Sequence, residues 1–144
     1  MRYEEIAHNS PDYHAACTLR DVVMRQPINR HLSVDDVAGE DAQHHFIARD
    51  ETGAVVATVL FKPLAPSHSK LRQMAVAAHL HGQGVGRALV QFAETRMREK
   101  GTRTIEINAR HYAMPFYEKL GYVPQGELFQ EVGLDTIKMT KTLE

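Results

Sequence analysis

Leu71-Arg72-Gln73-Met74-Ala75-Val76 is an apolar, β-rich run, and shortly after it come the alternating glycines of His81-Gly82-Gln83-Gly84-Val85-Gly86-Arg87. The first segment predicts a strand over Leu71 to Ala77. The second opens a helix from Val85 to about Lys100, in which Val85, Leu89, Phe92, Ala93 and Met97 share a face and Gly101 closes the C-terminus. A glycine-rich turn at a helix start lets several backbone N–H groups, the first orphan donors of the helix, point at one anionic group favoured by the helix dipole. The stretch therefore predicts a phosphate cradle. A dinucleotide fingerprint starting at Gly82 needs glycine where Arg87 stands, one starting at Gly84 needs it at Leu89, and the Gly-Lys-Ser/Thr of a P-loop is absent, so NAD and ATP sites are disfavoured. A tight strand-to-helix turn alone accounts for one or two of the glycines, not for three alternating ones.

Outward from this centre the chain reads as a continuous series of elements without internal repeats or a Gly/Ser/Pro linker. Arg2 to Ile6 is a short strand. Ser10-Pro11-Asp12 supplies an N-cap and a proline at the first helical position, opening a helix that Pro27 terminates. Ser33 to Gln43 is acidic and polar, a short helical turn and loop. His45 to Ala48 and Ala54 to Lys62 form a hairpin around Asp50-Glu51-Thr52-Gly53, and Pro63 to Pro66 break the pattern before the Leu71 strand. Thr102 to Ala109 reads as a strand and Tyr112 to Leu120 as a short helix. The last strands fall near Gly126 to Gln130 and Thr136 to Leu143. The order is that of an α/β protein, one sheet covered by helices, in a single domain spanning residues 1–144.

The 144 residues are 43% hydrophobic and 24% charged, a composition that excludes intrinsic disorder. Seventeen Lys and Arg against 18 Asp and Glu leave a charge of −1, too balanced for general phosphate neutralisation, so no nucleic-acid partner is expected. Nine histidines turn that charge positive just below neutrality. The single cysteine, Cys17, makes no intramolecular disulfide and lies on the apolar stripe of the first helix as a core thiol. Met1-Arg2-Tyr3-Glu4-Glu5-Ile6 lacks an apolar leader and no run approaches the roughly 20 residues of a membrane span, so a cytoplasmic location without a membrane partner is expected. His44 and His45 point to opposite faces of a strand, and His79 and His81 have no third ligand at recognisable spacing, so no metal is expected.

Two residue patterns, the glycine stretch and a second one downstream, make the chain resemble the GNAT superfamily of acyl-CoA-dependent N-acetyltransferases. His81-Gly82-Gln83-Gly84-Val85-Gly86 is similar to that family's pyrophosphate loop, Gln/Arg-x-x-Gly-x-Gly/Ala, with histidine where Gln or Arg is usual. Asn108-Ala109-Arg110-x-x-Ala113-x-x-Phe116-Tyr117-Glu118-Lys119-Leu120-Gly121-Tyr122 is similar to its second motif, a strand end followed by a Phe-Tyr-Glu-Lys-Leu-Gly-Phe/Tyr helix. The resemblance covers most of the chain and is weakest across residues 7 to 43. It implies the GNAT fold: a mixed, mostly antiparallel sheet of about six to seven strands, flanked by helices, whose Leu71–Ala77 and Thr102–Ala109 strands splay apart to admit a pantetheine arm. It also implies acetyl-CoA as co-substrate, bound by Met74, Ala75, Val76, His81, Gly82, Gln83, Gly84, Val85, Gly86, Arg87, Asn108 and Tyr117. Met74 and Val76 would offer backbone hydrogen bonds in the manner of an added strand.

The same resemblance assigns Tyr117 as the group that protonates the departing thiolate, a role open to a phenol that stays un-ionised at neutral pH. Packing beside Phe116 is its alternative. Glu106 shares a strand face with Asn108 and is one candidate general base. Glu131 is another, because Phe129-Gln130-Glu131-Val132-Gly133-Leu134-x-x-x-x-Met139 resembles a Phe-x-Glu-x-Gly-Ile-x-His-x-x-Met tail of some relatives, with Thr136 where that tail has histidine. His31, His45 or His111 would then handle protons instead. Arg72 and Arg110 flank the splay and are placed to fork onto an acidic group of the acceptor, or to pair with a local carboxylate.

The expected function is direct transfer of acetyl from acetyl-CoA to a primary amine, on a small molecule or peptide, within a ternary complex and possible homodimer. Its rivals are a non-catalytic acyl-CoA-binding module of the same fold, a toxin acting on charged tRNA, which the neutral charge disfavours, and a transferase of longer acyl chains.

Overall fold

In the computed structural model, which describes residues 1–144, the Asp50 carboxylate organises the predicted hairpin turn. Its Oδ1 accepts from the Thr52 N–H at 2.9 Å, the Thr52 hydroxyl at 2.6 Å and the Ala54 N–H at 3.1 Å, while Gly53 takes a φ of +87°. The hairpin joins β2 (His44–Arg49) to β3 (Val55–Ala65). With β1 (Arg2–Ile6), β4 (His68–Val76), β5 (Thr104–Arg110), β6 (Val123–Glu131) and β7 (Leu134–Thr142) they form a seven-stranded sheet in the order β1-β2-β3-β4-β5-β7-β6. Only β4 and β5 run parallel, and the other pairs are antiparallel. The connection between those two is α2 (Val85–Glu99), as a parallel pair requires. α1 (Pro11–Arg20) begins at Ser10, whose Oγ accepts the Tyr13 N–H, and α3 (Met114–Lys119) follows a short turn at His111–Ala113.

Three expectations are corrected. The prolines do not interrupt the chain after Lys62: β3 continues to Ala65, with Pro63 opposite Ser69, and β4 begins at His68 rather than Leu71. Pro63 is accommodated because the ladder is irregular between Pro63 and Ala65, where a missing N–H donor is tolerated. The α-helical hydrogen bonding of α1 ends at Arg20 rather than running to Pro27. A wider turn covers Asp21–Arg25, and Pro27 lies in a tight turn closed by Asn29 at φ +57°. Cys17 is not in the core. It is half-buried, with Sγ 3.9 Å from Arg20 Nη1.

The two faces of the sheet are covered differently. On one, Val85, Leu89, Val90, Ala93 and Met97 of α2 pack on Phe46, Val59, Phe61, Leu71, Ile105 and Ile107 to make the main apolar core, each fully buried large aliphatic contributing about 1.5–3 kcal/mol. On the other, α1 lies against β3 and β4 over a buried polar cluster. There Arg20 and Glu40, both 0% exposed, form a two-pronged ion pair with both N···O distances 2.8 Å. The Tyr13 hydroxyl donates to Glu40 Oε1 at 2.7 Å, and Arg72 Nη1 approaches Glu40 Oε2 at 3.3 Å. No helix is long and apolar enough to cross a membrane.

His45 is sealed beside this cluster, against the rings of His8 and Tyr13. Its Nε2 donates to the Glu40 carbonyl at 2.7 Å and its Nδ1 has no partner. Burial outweighs the nearby Glu40 charge and holds this imidazole below its ordinary pKa, hence neutral. A base with a depressed folded-state pKa stabilises above its unfolded pKa, near 6.5, and destabilises as pH falls below it. Thermal unfolding followed between about pH 7 and 5 should therefore show stability falling, by up to about 1.4 kcal/mol per pH unit from this one site. His45→Gln should flatten that slope, and an unchanged slope would assign it to another group.

Candidate functional site

The three alternating glycines turn out to serve two different needs. Gly82 and Gly84 have φ values of +78° and +81° with nothing near the place of a Cβ, so they are required by the chain's direction. Gly86 is helical, and a Cβ there would stand 2.7 Å from Met74 Cε, 3.2 Å from Val76 Cγ2 and 3.4 Å from Phe116 Cζ. It lets the start of α2 approach β4 and α3 closely. Gly86→Val should cost about 1–3 kcal/mol through overpacking, read as a lowered denaturant midpoint.

The first intrahelical bond of α2 runs from the Ala88 N–H to Gly84, and the N–H groups of Val85, Gly86 and Arg87 have no backbone acceptor. They form a donor set at the positive end of a fifteen-residue helix, with no acidic residue in its first turn. This arrangement suits a phosphate-type anion. Gln83 is turned back, its Nε2 donating to the His79 carbonyl at 3.1 Å, and His81 Nε2 lies 2.8 Å from the Val76 carbonyl, tying the turn to the end of β4.

Beside this turn the sheet opens. β4 and β5 pair from His68 opposite Thr104 to Lys70 opposite Glu106, and no pair follows. The opening begins next to a bulge in β4: Thr58 of β3 faces Ala75 and Leu60 faces Arg72, leaving Gln73 and Met74 together opposite Val59, with Gln73 at φ +54°. Arg72 and Gln73 consequently point to the α1 face and Met74 to the Gly86 face. An opening lined by strand backbone, adjoining an anion cradle, fits an extended, amide-bearing ligand that ends in a phosphate group.

Tyr117 lies in the core that closes this region. Its ring is 5% exposed, edge-on to Phe116 and Tyr122, and its hydroxyl has no hydrogen-bond partner in the protein. Burial, with a smaller contribution from Tyr112, pushes the phenol above its usual value, so it is protonated at neutral pH. On β5, Asn108 and Arg110 converge on Glu131: Arg110 Nη1 donates to Glu131 Oε1 at 2.8 Å and to Thr136 Oγ1 at 2.9 Å, and Asn108 Nδ2 is 3.5 Å from Glu131 Oε2. Glu106 is engaged elsewhere. Its Oε1 is 2.6 Å from His68 Nε2, Lys138 Nζ approaches Oε2 at 3.8 Å, and the bond from His68 leads the forces that hold this carboxyl below its usual range.

The structure brings Met74, Val76, Gly86 and Tyr117 to one region and gathers Asn108, Arg110 and Glu131 beside the opening. It does not leave Arg72 open for an acceptor, because its guanidinium meets Gln43 Oε1 at 2.7 Å, the Asp36 carbonyl at 3.2 Å and Glu40. His31 is exposed beside Asp21, and His111 is exposed before α3. Sequence reasoning missed Arg20, Glu40, Gln43 and His68. The one available signal was the spacing of Leu71, Met74 and Val76, which breaks strict alternation.

Residues 11–143 match the family model described as an acetyltransferase (GNAT) domain. The chain is 33% identical over 98 residues to the uncharacterised N-acetyltransferase YitI of Bacillus subtilis, a match covering 63% of this chain and 66% of that protein. Among solved structures, a candidate N-acetyltransferase from Lactobacillus plantarum superposes with a TM-score of 0.87 over 100% of both chains at 25% identity. An aminoglycoside 6'-N-acetyltransferase complexed with coenzyme A superposes with a TM-score of 0.80, over 99% of this chain and 97% of that one, at 19% identity, a likeness of fold.

Proposed function

The chain belongs to the GNAT acetyltransferase family, and from that premise we propose that it transfers an acetyl group from acetyl-CoA to a primary amine, on a small molecule or a peptide, by direct attack in a ternary complex. The observation that carries this reading is the unpaired stretch between β4 and β5 beside the free N–H groups at the start of α2. Acetyl-CoA would supply an activated thioester, with the Val85, Gly86 and Arg87 amides holding its diphosphate and the backbone of Met74 and Val76 pairing with its pantetheine amides.

This chain's own residues would then do four things. A backbone N–H near Val76 polarises the thioester carbonyl, a fixed dipole in a site partly screened from water. Asn108 positions the arm where β5 leaves β4. Glu131 takes the proton of the acceptor ammonium, directly or through water. Its Oε2 has only the long contact to Asn108, whereas one oxygen of Glu106 is bonded to the His68 ring and the other faces the Lys138 ammonium. Tyr117 Oη donates to the sulfur as it leaves. The burial that raises the phenol raises the proton affinity of a thiolate in the same place, so donation remains matched.

Calorimetry with acetyl-CoA, followed by free-thiol release against a panel of amines, tests this reading. Saturable binding and amine-dependent release are expected. Binding without release on any amine would favour the non-catalytic acyl-CoA module, and no binding would overturn the cradle.

A further inference from the structure

Gln73 is the one residue within β4 at positive φ, and it is not a glycine. An L-residue held there is strained and persists only where its surroundings over-determine it. Its holder is Arg20. Arg20 Nε donates to Gln73 Oε1 at 3.3 Å, and Arg20 is itself immobilised by Glu40 through two contacts of 2.8 Å, with neither side chain exposed. Arg72, the preceding residue, reaches the same Glu40 and Gln43. Two consecutive strand residues are therefore pulled to one face by a single buried carboxylate hub. That is the geometry of a bulge, and it turns Met74 to the opposite face, against Gly86.

We infer that the buried Arg20–Glu40 pair is a positioning clamp for the acyl site: acting through Gln73 and Arg72, it holds the β4 bulge and so aims the Met74–Val76 backbone into the opening. The inference rests on the acyl-transfer reading of that opening. Arg20, Glu40 and Gln73 touch no reacting atom; they are positioning residues, placed by α1 and the 40–43 segment on the far side of the sheet.

A merely structural ion pair would change stability alone, whereas a clamp changes the bulge and the rate. Gln73→Gly separates these, because glycine accepts the positive φ without strain while losing the amide anchor, so the fold is retained. Gln73→Glu keeps an acceptor oxygen in a cluster with two guanidiniums and one carboxylate, and serves as the conservative rescue. In Q73G, hydrogen–deuterium exchange of a peptide spanning Leu71 to Val76 should accelerate by about tenfold relative to wild type and Q73E. kcat should fall by about tenfold or more, since small misplacements of a reacting centre are costly in rate. The Kd for acetyl-CoA should rise by less than kcat falls, because the Met74–Val76 pairing loosens while the glycine turn that holds the diphosphate is untouched. Unchanged exchange in Q73G overturns the clamp whatever the activity, and faster exchange with unchanged kcat overturns its role in transfer. A wild-type chain that fails to bind acetyl-CoA overturns the proposed function, and the exchange comparison still decides whether the clamp holds the bulge.

Discussion

Tyr117→Phe is expected to lower kcat by about 10²- to 10⁴-fold, the range supplied by a positioned general acid, while acetyl-CoA affinity changes little. The ring is packed edge-on between Phe116 and Tyr122 and nearly fully buried, so phenylalanine keeps the apolar contacts. The hydroxyl makes no bond to the protein whose loss would destabilise the fold, so the melting temperature should hold. The ring is buried but the hydroxyl oxygen is not sealed from solvent, since the only sealed side-chain polar atom without a partner is His45 Nδ1. Under the acyl-transfer reading, that hydroxyl is the group offered to the departing sulfur. A parallel loss of stability and rate would identify Tyr117 as a packing residue. An unchanged rate would move proton delivery to water.

Glu40→Ala is expected to cost about 3–5 kcal/mol of stability, as breaking a buried ion pair from one side does. At about 2–4 °C per kcal/mol for a chain near this size, the melting temperature should drop by roughly 6–20 °C. Glu40 is fully buried and its carboxyl is contacted by Arg20, Tyr13 and Arg72 together. Burial alone would raise its pKa, yet the Arg20 bonds and charge hold it below the usual range, so it is ionised in the folded state. Removing it leaves two guanidiniums against the sheet with no counter-charge. The double variant Arg20→Leu/Glu40→Ala should recover part of the loss, because it removes an uncompensated buried charge, and the interaction energy from the cycle should be well away from zero. Denaturant unfolding of the two single variants and the double variant reads this directly. A cost below about 1 kcal/mol for Glu40→Ala would place the pair among surface-like bridges.

Much of this molecule was legible in the sequence where the signal is local. Asp50 and Gly53 announced their turn, Ser10 and Pro11 the start of α1, and the glycines from Gly82 the start of α2, because each acts on backbone groups within a few residues of itself. The sequence predicts a break at Pro63 where the strand in fact continues, because a proline's effect depends on whether its missing donor falls at a regular ladder position, and β4 decides that. The sequence leaves Arg72 open between an acceptor and a carboxylate of the protein, because its partners Gln43 and Glu40 stand 29 and 32 residues away.

By itself the sequence determined the order of strands and helices, the glycine turn at Gly82–Arg87 and the family resemblance carried by Asn108 to Tyr122, since periodicity, capping and turn chemistry act over three or four residues. Tertiary structure alone decided the bulge at Gln73, the extent of the opening between β4 and β5, and the partners of Arg20, Arg72 and Arg110. Those depend on which charges meet when α1, the 40–43 segment and the sheet are packed together. A buried guanidinium accepts whatever carboxylate the fold brings to it, and no short-range pattern encodes that encounter.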